Sequence, residues 1–321
     1  MDSAILQRLD LWCRDDWLSL VQEYERDVVA LATHRSPPAA SQNQRDLAKL
    51  RQAKELLARS KYSKARNGIT SNGLGKADDP RVIDQMKKKH PPASSVIPPL
   101  THDQLSYGRY TIDLDEMSKV LQGLDSDTGP GIGGLRNEHL LALARPRTNF
   151  SIPAAATAVD SFALLGTDVV AGRLPPWFYI VYTATRLVPG NKEKPTGDPD
   201  EVPDCRPINV GSAARRAWTR AYLNPLHNIY NDVTFPTQCG MEKGGITVVV
   251  AGIQLTLEQN ASFAVSSLDV RNAFNEGNRD KILEALWNEP RLRGMYVYAH
   301  RLLENPSYIG MGSGTSLSLR K

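Results

Sequence analysis

The chain has 321 residues, of which 41% are apolar and 23% are charged, and its formal net charge is +4. This length allows two domains, or one large domain with a helical extension, and the composition is ordinary for a globular protein. No run approaches the roughly 20 apolar residues that a membrane-spanning helix needs, and no secretory signal pattern stands at the N-terminus. Three well-separated cysteines predict an intracellular protein with reduced thiols, without a choice between nucleus and cytoplasm.

Residues 1–90 are predicted to form a helical, basic N-terminal region. Apolar residues recur at helical spacing over 4–34 and 41–60, and Lys and Arg dominate 49–68. That basic run is either a solvated helix face or a surface that contacts phosphates, and its pattern leaves both interpretations open. Repeated prolines then predict a linker at 91–103, because proline disrupts helices and inner strands.

Residues 104–321 are predicted to mix helices with a few strands. The predicted helices cover 113–124, 135–144, 153–173, 212–230, 246–257 and 276–288. The segment GPGIGG, residues 129–134, fits a dinucleotide-binding spacing, but a helical pattern precedes it where that fold needs a strand. We therefore interpret it as a flexible turn.

Two short runs, ATRLVPG and RPINVG, predict a β-hairpin that carries Lys192 and Arg206. Arginine binds phosphate oxygens with two parallel hydrogen bonds, so this hairpin suits a triphosphate, although solvated surface charge explains the same residues. Residues 263–269 are predicted to form a central strand, because both of its faces are apolar, and it ends on Asp269. This carboxylate either caps the next helix or, with the Val270 carbonyl, supplies oxygen ligands for Mg²⁺.

In chain order, four stretches resemble the reverse transcriptase domain of non-LTR retrotransposons. They are TGPGIGGLRNEHLLAL, the hairpin TRLVPGNK with CRPINVGSAARR, PTQCGMEKGGI, and SLDVRNAFNEGNRDKI. The resemblance covers about residues 100–300. It implies an α+β fold, in which a helical N-terminal extension precedes fingers and a partial palm over residues 104–321. It also implies RNA-directed DNA polymerase activity, a nucleotidyl transfer that uses two metal ions.

The same resemblance assigns roles to individual residues. It implies that Asp269 is catalytic and binds Mg²⁺ together with the Val270 carbonyl. Lys192 and Arg206 would contact the incoming dNTP, and Phe274 would exclude a ribose 2′-hydroxyl. The implied partners are an RNA template, a DNA primer and dNTPs, with no membrane.

The chain departs from the family pattern in two places. Gly133 stands where the family usually has Asp, and the Asp-Asp pairs Asp15-Asp16 and Asp78-Asp79 both precede the predicted linker. We therefore expect a fragment that stops before the Asp-Asp hairpin and the thumb and is inactive alone. Two alternatives stay open: a non-catalytic nucleic-acid-binding remnant of a retroelement, or a gene fragment without a stable role.

Overall fold

The computed structural model forms two compact units, Met1–Asn72 and Gly73–Lys321. The division falls earlier in the chain than the predicted linker at 91–103, which lies within the second unit. The structure describes single residues between 7 and 23 and, from 42 to 311, all residues except 93–95, 109, 127, 145–151, 194–197, 199–201, 203, 235–237, 241–243 and 271. Most of the predicted helical stretch 4–34 lies outside these residues.

The first unit contains helices α1 (Gln42–Ala58) and α2 (Tyr62–Thr70), which pack on each other. Ala53 and Ala65 are their buried residues. Ser60 takes a left-handed conformation between them, with φ 56°. The predicted helix over 41–60 is confirmed, and most of its basic side chains are exposed.

The second unit is α+β, mostly helical with a small three-stranded sheet. Its helices are α3 (Pro80–Lys88), α4 (His102–Ser106), α5 (Leu114–Gln122), α6 (Asn137–Ala144), α7 (Ile152–Val170), α8 (Pro176–Tyr182), α9 (Ala213–Leu223), α10 (His227–Thr234), α11 (Gly245–Gln259), α12 (Ala273–Glu276), α13 (Arg279–Asn288) and α14 (Tyr296–Leu303). Short 3₁₀ turns stand at Asn224–Leu226 and Arg293–Met295. None of the helices in the described residues is long and apolar enough to cross a membrane.

The largest core lies among α5, α7, α8, α9 and α14 and is rich in aromatic residues. Trp218 of α9 packs on Phe162 of α7 and donates its indole N–H to the Phe162 carbonyl at 2.9 Å. Gly166, one turn later on α7, allows this close approach, because a Cβ there would lie 2.4 Å from Trp218 Cδ1. Such a distance is a steric clash, so the small residue sets the spacing of α7 and α9.

The sheet has the strand order β2-β1-β3. β1 (Thr185–Asn191) pairs antiparallel with β2 (Cys205–Val210) and parallel with β3 (Ile309–Met311). The predicted β-hairpin is thus confirmed. A second core of Val82, Met86, Leu187, Cys205, Ile309 and Met311 joins helix α3 to this sheet.

The proline-rich segment at 91–103 lies within the second unit and packs on its helices. Ile97 is buried with Leu283 and Tyr296, and the His300 ring donates from Nε2 to the Pro98 carbonyl at 2.8 Å. Thr101 then caps α4 through a reciprocal capping box. Prolines here fix an extended path across a core surface, which composition alone does not distinguish from a linker.

The turn at 129–134 is confirmed as a turn between two helices. α5 precedes it, α6 follows it, and Gly133 and Gly134 both have positive φ. A Cβ on Gly131 would lie 2.6 Å from the Gly211 carbonyl carbon, so backbone meets backbone there. Glycine is required at this contact for packing, and no phosphate-facing strand–helix unit is formed.

The predicted central strand 263–269 is wrong, since these residues have no strand pairing in the part of the chain that the structure describes. Phe263 is 59% exposed and Leu268 is 91% exposed. On the preceding helix, α11, the apolar side chains of Ile246 and Val249 are also exposed to solvent. An apolar run becomes a strand only where a neighbouring strand takes its backbone hydrogen bonds.

Candidate functional site

One cleft, with a volume of about 1230 Å³, brings together four of the five site residues predicted from the sequence. It opens between the C-terminal end of α3, the β1–β2 hairpin and residues 269–276. Lys192 and Arg206 line the cleft from the hairpin, and Asp269 and Val270 line it from the third segment. Since these segments are far apart in sequence, the folded chain is what makes them neighbours.

The hairpin places Lys192 and Arg206 on one face. Lys192 N–H donates to the Asp204 carbonyl at 2.8 Å, so the antiparallel ladder continues one residue past Asn191. Residue 206 lies two positions from 204, and side chains two positions apart on a strand share a face. The Arg206 side chain is exposed and forms no hydrogen bond or ion pair with another described residue. Its guanidinium is therefore available to a ligand.

A lysine that the sequence interpretation did not include, Lys89, completes the basic side of the cleft. It directly follows α3, and its ammonium forms an ion pair with Asp204 and donates to the Cys205 carbonyl at 2.6 Å. Lys192 Nζ lies 2.5 Å from the other Asp204 carboxylate oxygen. Hydrogen bonds from Lys192 and then from Lys89 hold the pKa of Asp204 below its ordinary value. Asp204 is thus a carboxylate shared by two lysines.

Helix α3 is fixed to the hairpin by side-chain bonds as well as by its apolar face. Gln85 Oε1 accepts the Cys205 N–H at 2.7 Å. The His90 ring donates from Nδ1 to the Met86 carbonyl at 2.8 Å and accepts the Asn209 amide at Nε2 at 3.2 Å. These bonds hold the end of α3, and with it Lys89, against the strand that carries Arg206.

Asn272 links residues 269–276 to the C-terminal end of α3. Its amide donates to the Lys89 carbonyl at 3.1 Å, and its backbone is left-handed, with φ 55°. Asparagine tolerates this conformation better than most residues, so Asn272 serves as the turn before α12. The contact brings Asp269 and Val270 to the rim of the cleft.

Asp269 itself is an exposed carboxylate at this rim. It forms no hydrogen bond or ion pair with the other residues that the structure describes, and Val270 beside it is 71% exposed. Four cations and three carboxylates line the cleft as a whole, so its charge is slightly positive. The arrangement can bind an anionic group opposite a free carboxylate.

The described residues do not by themselves fit the Mg²⁺ ions that the resemblance implies. They contain no group of three or more His, Cys, Asp or Glu side chains that could hold a metal. Mg²⁺ takes near-octahedral oxygen coordination, and a two-metal centre needs several carboxylates. Asp269 and the Val270 carbonyl are too few, and Mg²⁺ binding stays a prediction.

Phe274 is the fifth predicted site residue. Its backbone lies in the short helix α12, but its side chain lies outside the described part of the chain. Lys89, Asp204, Gln85 and Asn272 were not predicted for the site. The only sequence signal for them was the basic run around Lys89, which patterning assigned to the N-terminal region.

Comparison of the sequence with models of known protein families and with curated proteins finds no match in either set.

Proposed function

We propose that this chain is the nucleotide- and nucleic-acid-binding part of an RNA-directed DNA polymerase, the reverse transcriptase of a non-LTR retroelement. The observation that carries the proposal is the meeting of Lys192, Arg206, Asp269 and Val270 in one cleft. The resemblance assigns these residues to one nucleotide site from sequence motifs alone. Nothing in their sequence separation requires them to be neighbours.

The chemistry of the cleft suits the phosphates of a dNTP. Arg206 offers a planar fork of donors that matches phosphate oxygens, and Lys192 adds a compact positive charge. The volume of about 1230 Å³ is large enough for a nucleotide, since small-molecule sites commonly occupy about 300–1,000 Å³.

The basic segments 49–66 and 186–216 are the proposed contacts to the RNA template and the DNA primer. Within the second segment, two arginines are engaged in the fold. Arg216 donates to the Asn137 side chain at 3.0 Å, and Arg215 donates to the Thr183 carbonyl at 3.2 Å. Exposed residues such as Arg206 therefore carry the proposal in this segment, while Arg215 and Arg216 support the core.

A non-catalytic nucleic-acid-binding remnant is the second candidate function. It is favoured by one observation: the described residues contain no group of three metal-ligating side chains. In that case the basic surfaces bind nucleic acid and no nucleotide is added to a primer.

Nucleotide binding tests the proposal directly. We expect dATP to bind the purified chain and deoxyadenosine to bind far more weakly, because the phosphates make the proposed contacts. Arg206→Gln should weaken dATP binding about tenfold, in line with the loss of one charge-assisted contact. Isothermal titration calorimetry measures both affinities. Arg220→Gln is the matched control, since Arg220 is an exposed arginine of α9 outside the cleft.

Binding to a primed RNA template separates the two candidate functions. A polymerase part holds the template and primer more tightly when the dNTP that pairs with the next template base is present, whereas a remnant does not distinguish it from the other three. Affinity for single strands should fall with salt, with a slope of about −0.7 per phosphate contact in a double-logarithmic plot. Binding that is insensitive to salt, together with no dATP binding, would contradict both functions.

A further inference from the structure

The two lysines of the cleft share one internal counterion. Lys89 reaches it from the end of α3 and Lys192 reaches it from the hairpin, and both ammonium groups pair with the carboxylate of Asp204. The Asp204 side chain is 52% exposed, so a solute can approach it from the open side of the cleft. Two cations from distant segments therefore converge on the position of one anion.

All three hydrogen-bond donors of the Lys89 ammonium group are used while it pairs with Asp204. An ammonium group has three N–H donors. Those of Lys89 point to Asp204, to the Cys205 carbonyl at 2.6 Å and to Gln85 Oε1 at 3.4 Å. The carbonyl and the amide belong to the wall of the cleft, whereas Asp204 is the exposed member. An incoming anion reaches Lys89 by taking the place of the Asp204 carboxylate.

We propose that Lys89 and Lys192 form a phosphate-binding subsite and that Asp204 competes for it as an internal anion. A phosphate oxygen binds by replacing the Asp204 carboxylate, which then turns toward solvent. This inference rests on the proposed function for the identity of the ligand, because it deepens the same cleft. It adds a cation from α3 and an inhibitory carboxylate that the resemblance does not assign.

The size of the expected effect follows from Coulomb's law. Unit charges about 4 Å apart interact by about 1 kcal/mol in water, which corresponds to about a fivefold change in affinity. The half-exposed position of Asp204 places it near this aqueous limit, so removing its charge should strengthen phosphate binding at least about fivefold. Asparagine keeps the size of the side chain and one acceptor oxygen, so Asp204→Asn changes mainly the charge.

The experiment compares wild type, Asp204→Asn and Asp168→Asn by isothermal titration with inorganic tripolyphosphate. Asp168 is the matched control, because its carboxylate also pairs with a cation, Arg173 at 2.9 Å, but lies outside the cleft. We expect tighter binding only for Asp204→Asn, and adding Lys89→Met to that variant should remove the gain. Asp204→Ser is a second variant with the same expectation, and thermal melting checks that each protein is folded.

Two further ligands identify the source of the phosphate. A gain for tripolyphosphate and dATP, without a gain for a short single-stranded oligonucleotide, assigns the subsite to a free nucleotide. An equal gain for the oligonucleotide assigns it to a nucleic-acid backbone.

Three results would overturn the inference: unchanged or weaker binding in both Asp204 variants, an equal gain in Asp168→Asn, or no tripolyphosphate binding by any of the proteins. Failure of this inference can be distinguished from failure of the proposed function. If Arg206→Gln weakens dATP binding while the Asp204 variants change nothing, the nucleotide site stands without the competing carboxylate. If the Asp204 variants bind tripolyphosphate more tightly but no protein binds dATP or primed template, the subsite stands without the polymerase.

Discussion

The carboxylate of Glu304, just after α14, is 12% exposed and lies beside the side chains of His300 and Arg301. His300 Nδ1 lies 3.2 Å from it and Arg301 Nη1 lies 2.9 Å from it. Burial alone would raise the pKa of Glu304, but the hydrogen bonds from His300 and Arg301 outweigh it and lower that pKa below its ordinary value. The folded state therefore binds the Glu304 proton more weakly than the unfolded chain does.

The sign of this shift predicts how pH acts on stability. A carboxylate whose pKa is lowered by folding stabilises the protein above its unfolded pKa of about 4.3, and this contribution is lost as pH falls through the lower folded value. We expect Glu304→Gln to reduce the free energy of unfolding by about 2 kcal/mol at neutral pH, because the largely buried guanidinium of Arg301 loses its charged acceptor. The deficit should shrink below about pH 4.

Urea unfolding at several pH values measures this deficit. Glu284→Gln is the control, because Glu284 pairs with Lys281 on an exposed helix face and its loss should change stability little. A Glu304→Gln deficit that is equal at all pH values would show that packing, not charge, is what the residue contributes.

Gly166 provides a second prediction at the scale of one residue. Ala at this position would place a methyl group 2.4 Å from Trp218 Cδ1 and 2.9 Å from Ile112 Cδ1. Overpacking of this kind costs about 1–3 kcal/mol, so Gly166→Ala should lower the free energy of unfolding by that amount. Gly252 is the matched control in α11, because a Cβ there meets nothing within 4 Å. Gly252→Ala should raise stability by about 0.5–1 kcal/mol, since alanine favours helix.

Denaturant unfolding measures the free energy of unfolding of Gly166→Ala and of Gly252→Ala. Equal effects of the two substitutions would contradict the steric explanation at Gly166, since only one of them has a clash.

Among the elements, the hairpin β1–β2 and the segment 263–270 differ in what holds them. The hairpin has a complete antiparallel register from Arg186 with Val210 to Asn191 with Cys205. Within the described residues, the amides of 264–270 have no backbone acceptor. We therefore expect fast hydrogen exchange over 264–270 and slow exchange over β1, because protection requires a stable hydrogen bond.

Exchange followed by mass spectrometry of peptides from both segments measures this difference. Protection of 264–270 equal to that of β1 would show that these residues pair with a partner, such as a second copy of the chain, in solution.

The same two elements show what could be predicted from the sequence. The hairpin followed from local signals, because two short β-branched runs flank a polar loop and pair with each other. Residues 263–269 have an equally strong strand pattern, but a strand also needs a neighbour, and local pattern does not report one. The helices α5 and α7 also lie where their spacing predicted them, because their hydrogen bonds are internal. The helix predicted over 212–230 is correct only in part, because a 3₁₀ turn at Asn224–Leu226 divides it into α9 and α10.

The residues of the candidate site also differ in whether the sequence predicted them. Lys192, Arg206, Asp269 and Val270 were predicted through the resemblance to a family, and all four line one cleft. Lys89 enters the cleft only because α3 packs on the sheet through its apolar face. Gln85 and Asn272 act through backbone groups of distant residues. Such contacts have no local pattern, so the sequence contained no signal for them.

For the whole molecule, the central prediction concerns catalysis. We expect residues 1–321 to show no primer extension on an RNA template with Mg²⁺ and dNTPs, even where the chain binds dNTP and primed template as proposed. The reason is that the described residues offer Asp269 without a group of ligands that could hold two ions about 3.5–4 Å apart. A primer-extension gel with labelled primer measures the activity. Template-dependent extension that disappears in Asp269→Ala would contradict this prediction.

The Cys205 thiol is buried between the hairpin and α3, and burial raises its pKa. Its side chain packs in one core with Val82 and Met86 of α3, so detachment of α3 from the sheet should increase the exposure of the sulfur. The rate at which a thiol reagent labels Cys205 therefore reports how often α3 detaches from the sheet. Replacement of the Asp204 carboxylate by a phosphate oxygen should leave the rate of Cys205 labelling unchanged. A ligand that detaches α3 from the sheet should increase that rate.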